Sequence, residues 1–147
     1  MAEMTKEEAF EFLDSRPGWV MLSTIDGRGY PHTVPLGYFR DGDDIYLPAR
    51  GQRRVNVQRN PKVSLLVEDG QQMADLRGLV IQGDATLIEE PDEVLRLTQT
   101  AARKRGVTED DLPTEVRAGR TYMKVTPRRI RSWDNVKDAR ERTQSRA

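Results

Sequence analysis

Leu76-Arg-Gly-Leu-Val-Ile-Gln-Gly-Asp-Ala-Thr-Leu-Ile-Glu89 is long for one β-strand and carries two glycines, Gly78 and Gly83, inside its apolar run. Glycine inside a strand marks a bulge, a sharp bend or a close backbone approach. A small barrel uses such bends at its corners. Upstream, Lys62-Val-Ser-Leu-Leu-Val-Glu68 reads as a strand bounded by Asp69-Gly70. Arg53 to Arg59 holds Val55 and Val57 without clean alternation and is stopped by Asn60-Pro61, which predicts a short helix.

Further upstream, Trp19 to Ile25 and Pro31 to Phe39 are β-prone runs joined by the turn chemistry of Asp26-Gly27-Arg28-Gly29. A second turn at Asp41-Gly42-Asp43 leads into Asp44 to Pro48. Thr5 and Glu8 form a capping-box pattern before Ala9, Phe10, Phe12 and Leu13, predicting a helix from Lys6 to Ser15 that Pro17-Gly18 ends.

Downstream, Pro91 opens an amphipathic helix through Val94, Leu95, Leu97 and Ala101 to about Arg105, where Gly106 closes it. Gly106 to Gly119 is loop-like. Tyr122 to Thr126 alternates as a last strand, extended irregularly to Trp133. The expectation is a mainly β chain with flanking helices, a six-stranded antiparallel split β-barrel of Greek-key type. One domain spans residues 1–134 including the N-terminal helix, and 135–147 form a charged C-terminal tail.

Composition narrows the chemistry. The absence of cysteine rules out disulfides, thiolate metal sites and a cysteine nucleophile. With His32 the sole histidine, no metal site is expected. No stretch approaches the roughly 20 apolar residues of a membrane span, and residues 1–8 lack an apolar leader, so a cytoplasmic protein without a membrane partner is expected. The 24 basic and 24 acidic side chains cancel, which argues against nucleic acid as partner, although small barrels with basic loops and aromatic faces do hold single strands.

Charge is nevertheless unevenly placed. No acid lies between Asp44 and Glu68, whereas Arg50, Arg53, Arg54, Arg59 and Lys62 fall there. Arg50 to Asn56 stands where a strand gives way to a helix, and a helix start with guanidinium groups suits a phosphate. A solvated basic turn has the same composition. His32 is a candidate proton carrier or, in a non-catalytic protein, a haem ligand, but no serine or acid is placed to form a triad with it. Tyr38, Tyr46 and Trp133 suit either a planar ligand or a core and interface. No catalytic residue is assigned.

In order and spacing, Gly29-Tyr-Pro-His-Thr-Val-Pro35, Arg50-Gly-Gln-Arg-Arg-Val-Asn56, Asn60-Pro-Lys-Val63 and Gly78-Leu-Val-Ile-Gln-Gly83 with Asp84-Ala-Thr-Leu-Ile88 resemble the FMN-binding split-barrel family of pyridoxamine 5'-phosphate oxidase. The closing Thr126-Pro-Arg-Arg-Ile-Arg-Ser-Trp-Asp134 is similar to members that use the deazaflavin F420. The resemblance implies a homodimer with its cofactor, F420 or alternatively FMN, in an interface groove. It also implies hydride transfer between that cofactor and a small unsaturated or carbonyl-conjugated substrate.

By the same matching, Arg53, three residues before Asn56, stands where the family usually has a phosphate-holding lysine, with Arg50, Gly51 and Gln52 beside it. Thr33, Val34 and Pro35, together with Leu47, Pro48 and Ala49, are expected along the ring system. Trp133 is expected to arrive from the other subunit.

Overall fold

The computed structural model describes residues 2–15 and 18–146. Its helices are α1 (Lys6–Ser15), α2 (Gly51–Arg59), α3 (Pro91–Lys104) and α4 (Asn135–Arg146). Its strands are β1 (Val20–Ile25), β2 (Pro31–Leu36), β3 (Phe39–Asp41), β4 (Asp44–Pro48), β5 (Lys62–Asp69), β6 (Arg77–Ile88) and β7 (Tyr122–Asp134). They form one antiparallel sheet in the order β2-β1-β5-β6-β7-β4-β3.

The described residues thus contain seven strands, not six. The run Pro31 to Phe39 is two strands, because β2 pairs with β1 while β3 pairs with β4 at the opposite edge. Only Gly37 and Tyr38 lie between them. Three Cα steps span at most about 11 Å. The two edges of the sheet therefore lie close together at this point, and the sheet is curled into a half-barrel.

Alternation sorts the side chains. Val20, Leu22 and Thr24 of β1 and Val63, Leu65 and Val67 of β5 are buried, while their neighbours along the strand are more exposed. The interior core includes Ile45, Leu47, Leu79, Ile81, Met123 and Val125, joined by Ala9, Phe12 and Leu13 of α1. A second cluster, Phe39, Tyr46 and Tyr122 with Val94 and Leu97, fills the space between β3-β4-β7 and α3.

The glycines of β6 serve the purposes expected of them. At Gly83 the β6–β7 register shifts, and a β-carbon there would come within 2.5 Å of the Thr126 carbonyl oxygen. Gly78 faces Trp133.

The capping box of α1 forms in both directions, with the Glu8 amide donating to Thr5 Oγ1 (3.1 Å) and the Thr5 amide to Glu8 Oε1 (2.9 Å). The expected stop at Pro17 lies outside the described residues. Residues 135–146, expected as a tail, are helical. Long-range contacts hold the start of α4: Asn135 Nδ2 donates to the Met73 carbonyl (2.6 Å), Lys137 pairs with Glu8 (3.0 Å), and the Ala2 amide meets Asp138.

Candidate functional site

The passage from β4 into α2 is fixed on both sides. The Ala49 amide donates to the Thr121 carbonyl (3.0 Å), and Thr121 Oγ1 donates back to the Ala49 carbonyl (2.6 Å). Gly51 then turns with φ +62°, a left-handed conformation that glycine adopts without steric cost. Arg50 stands at the N-cap in extended backbone with no side-chain cap, and no acid occupies the first turn. The helix start keeps its unpaired amides and positive partial charge.

Arg53 is half-buried, and its Nε donates to the Pro48 carbonyl (2.8 Å). Burial, and then the like charge of Arg50, push its pKa below the ordinary arginine value. Among the described residues neither Arg50 nor Arg53 makes an ion pair. Two other cations of the segment are engaged, Arg54 with Glu89 (2.7 Å) and Lys62 with Asp84 (2.8 Å). Arg59 lies against Gly27, where a β-carbon would be 2.2 Å from its guanidinium. Arg50 and Arg53, two guanidiniums without an ion pair, stand at the uncapped helix start, which fits one phosphate group.

Gln52 is exposed and donates through Nε2 to Asn56 Oδ1 (2.7 Å). Asn56 itself is fully buried and donates to Thr24 Oγ1 (2.9 Å). Its side chain therefore holds the helix against β1, beneath the surface that Arg50 and Arg53 present.

The remaining expected residues are distributed less simply. Thr33 and Pro35 are exposed on one face of β2, and Thr33 Oγ1 shares a hydrogen bond with Ser23 Oγ (2.9 Å). Val34 points the other way, against the core. Pro48 is half-buried, whereas Leu47 and Ala49 are buried. β2 and β4 are five places apart in the sheet, so closure at Gly37-Tyr38 is what brings them together.

A single chain does not bring Trp133 to this point. Tyr122, the partner of Pro48, lies eleven residues earlier on β7, roughly 36 Å along the strand. Trp133 instead covers Gly78, and its indole nitrogen is buried without a hydrogen-bond partner. His32 faces Thr24 across the β1–β2 ladder, half-buried, with Nδ1 buried and unpartnered.

Sequence reasoning missed Thr24, Glu89 and Thr121. Thr24 reads as an ordinary strand residue, and the other two fall at element ends. A cleft of about 590 Å³ opens beside this junction between the start of α3 and residues 114–121, with Glu89 and Thr121 in its lining. Among the described residues no helix is long and apolar enough to cross a membrane.

The sequence pattern of the pyridoxamine 5'-phosphate oxidase family matches residues 5–134, and the chain belongs to that family. No curated protein matches the chain in sequence. Among solved structures, the conserved hypothetical protein Rv2991 from Mycobacterium tuberculosis is similar over 92% of this chain and 88% of its own, with 28% identity and a TM-score of 0.80. A protein named F420 reductase shares the fold at TM-score 0.63 and 22% identity over 84% of this chain and 96% of its own. A FAD-binding protein from Mesorhizobium loti does so at 0.67 and 18% identity, over 89% and 95%.

Proposed function

We propose that the chain is an F420-dependent oxidoreductase acting on a small unsaturated or carbonyl-conjugated substrate, as a homodimer. The observation that carries this reading is the pair Arg50 and Arg53, unneutralised at the uncapped start of α2, within a fold shared with a protein named F420 reductase. Arg53, with Arg50, Gly51 and Gln52, holds the cofactor phosphate. Thr33, Pro35 and Pro48 run along the ring, and Trp133 reaches it from the second subunit. When bound, the deazaflavin supplies hydride transfer. The protein anchors the phosphate, orients the ring and keeps water away.

An apolar face of the sheet supports the dimer reading. Pro35, Met21, Leu66 and Val80 lie directly opposite one another across β2, β1, β5 and β6, which puts them on one side of the sheet as an apolar stripe. Met21 is 38% exposed. Such a stripe suits an isologous contact.

FMN is the second reading. Two free guanidiniums match its single terminal phosphate, whereas the carboxylated tail of F420 benefits from a longer basic track, and Arg54 and Lys62 are already paired. Side-by-side fluorescence titrations of cofactor-free protein with F420 and FMN, repeated at higher salt, decide between them. Saturable binding of F420 alone selects the deazaflavin enzyme, and preference for FMN selects the flavin enzyme. Binding of neither refutes the oxidoreductase reading.

A further inference from the structure

The buried polar residues among those described are Thr24 and Asn56, and they are bonded to each other. Thr24 points from β1 into the barrel interior beside Leu22, where a threonine hydroxyl contributes nothing to apolar packing. Its oxygen accepts from Asn56 Nδ2 at 2.9 Å, and Asn56 Oδ1 accepts in turn from Gln52 Nε2 at 2.7 Å. Three side chains thus connect the barrel interior to the first turn of α2. Gln52 and Arg53 are consecutive on that turn, and Arg53 is tied separately to the Pro48 carbonyl.

The geometry points to Thr24 as a positioning residue: its hydroxyl, through Asn56 and Gln52, sets the first turn of α2 at the height and rotation that its anion-binding groups need. The inference rests on the phosphate reading of that turn given above. A buried amide keeps a fixed orientation only while its donors and acceptors are matched. Gln52 at one end of the relay and Thr24 at the other define which way the Asn56 amide faces. Valine in place of Thr24 preserves shape and removes the acceptor. Asn56 then has an unpaired buried N–H, and the least costly response is to rotate or withdraw, carrying α2 with it.

The relay reaches only the phosphate end of a cofactor. Thr24→Val is therefore expected to weaken phosphorylated ligands and to spare phosphate-free ones. A merely structural role would not produce that split.

The test titrates the full chain with two matched pairs of probes, F420 against its phosphate-free deazaflavin core and FMN against riboflavin, for wild type, Thr24→Val, Thr24→Ala and Thr24→Ser. In the pair that wild type discriminates, Thr24→Val and Thr24→Ala should lose about tenfold for the phosphorylated member and little for the other, and Thr24→Ser should restore binding. Discrimination that is undiminished in Thr24→Val and Thr24→Ala overturns the inference alone. If wild type discriminates in neither pair, the phosphate reading fails and the inference falls with it. If Thr24→Val and Thr24→Ala do not fold while Thr24→Ser does, the hydroxyl is a determinant of folding and the positioning role is refuted.

Discussion

Gly78 and Trp133 occupy facing positions on β6 and β7, and the indole fills the space that a β-carbon on residue 78 would need, with Cζ2 only 2.6 Å from it. The Val67 carbonyl oxygen closes the same space at 2.9 Å from the other side. The backbone cannot yield, so the ring must. Gly78→Ala should cost about 1–3 kcal/mol, read from the urea midpoint. Tryptophan emission should shift as well, and the shift reports Trp133, because Trp19 is already 71% exposed.

Arg53→Ala removes one of the two unpaired guanidiniums at the α2 start. Affinity for the phosphorylated cofactor should fall by about ten- to a hundredfold, with little change for a phosphate-free ring analogue. Equal losses for both ligands in calorimetric titration would refute the phosphate assignment. Arg54→Ala, which breaks the pair with Glu89, should have the smaller effect on binding.

Asp84 is held below the usual aspartate pKa by a hydrogen bond from Lys62 and then by one from Arg128, each at 2.8 Å. Its stabilising contribution is complete above the unfolded value of about 3.9 and is lost as pH falls through the depressed folded value. Asp84→Asn should therefore lower Tm at pH 7, and the gap from wild type should close in strong acid. A gap independent of pH in thermal melts would show that the carboxylate charge is not the cause.

The stripe of Pro35, Met21, Leu66 and Val80 predicts where a charge separates two subunits. Leu66→Arg should halve the mass seen in light scattering while leaving far-ultraviolet circular dichroism unchanged. A wild-type chain that is already monomeric at micromolar concentration would remove the dimer from the proposal.

Much of the architecture was legible because local chemistry and the observed structure agree. The capping box at Thr5 and Glu8, the short helix after Arg50, the proline-initiated α3 and the glycine-broken β6 follow from residues within one element. The seventh strand was hidden because Pro31 to Phe39 is continuously β-prone. Its break at Gly37-Tyr38 reflects which distant strand each half pairs with, a tertiary fact. The helix at 135–146 was hidden for a related reason: its start is held by Met73, Glu8 and Ala2.

At the candidate site, the basic cluster was visible in the sequence but its partition was not. Nothing local indicates that Arg54 meets Glu89 or that Asn56 turns inward to Thr24.

The position of β7 has a consequence for biosynthesis. It is the last in chain order of the seven described strands, yet it alone joins β6 to β4. Without residues 122–134 the sheet order divides into β2-β1-β5-β6 and a separate β3–β4 hairpin, with β6 and β4 each left with an unpaired edge. Such edges invite pairing with other chains. Aggregation is therefore expected to threaten most in the interval between completion of β6 and release of β7.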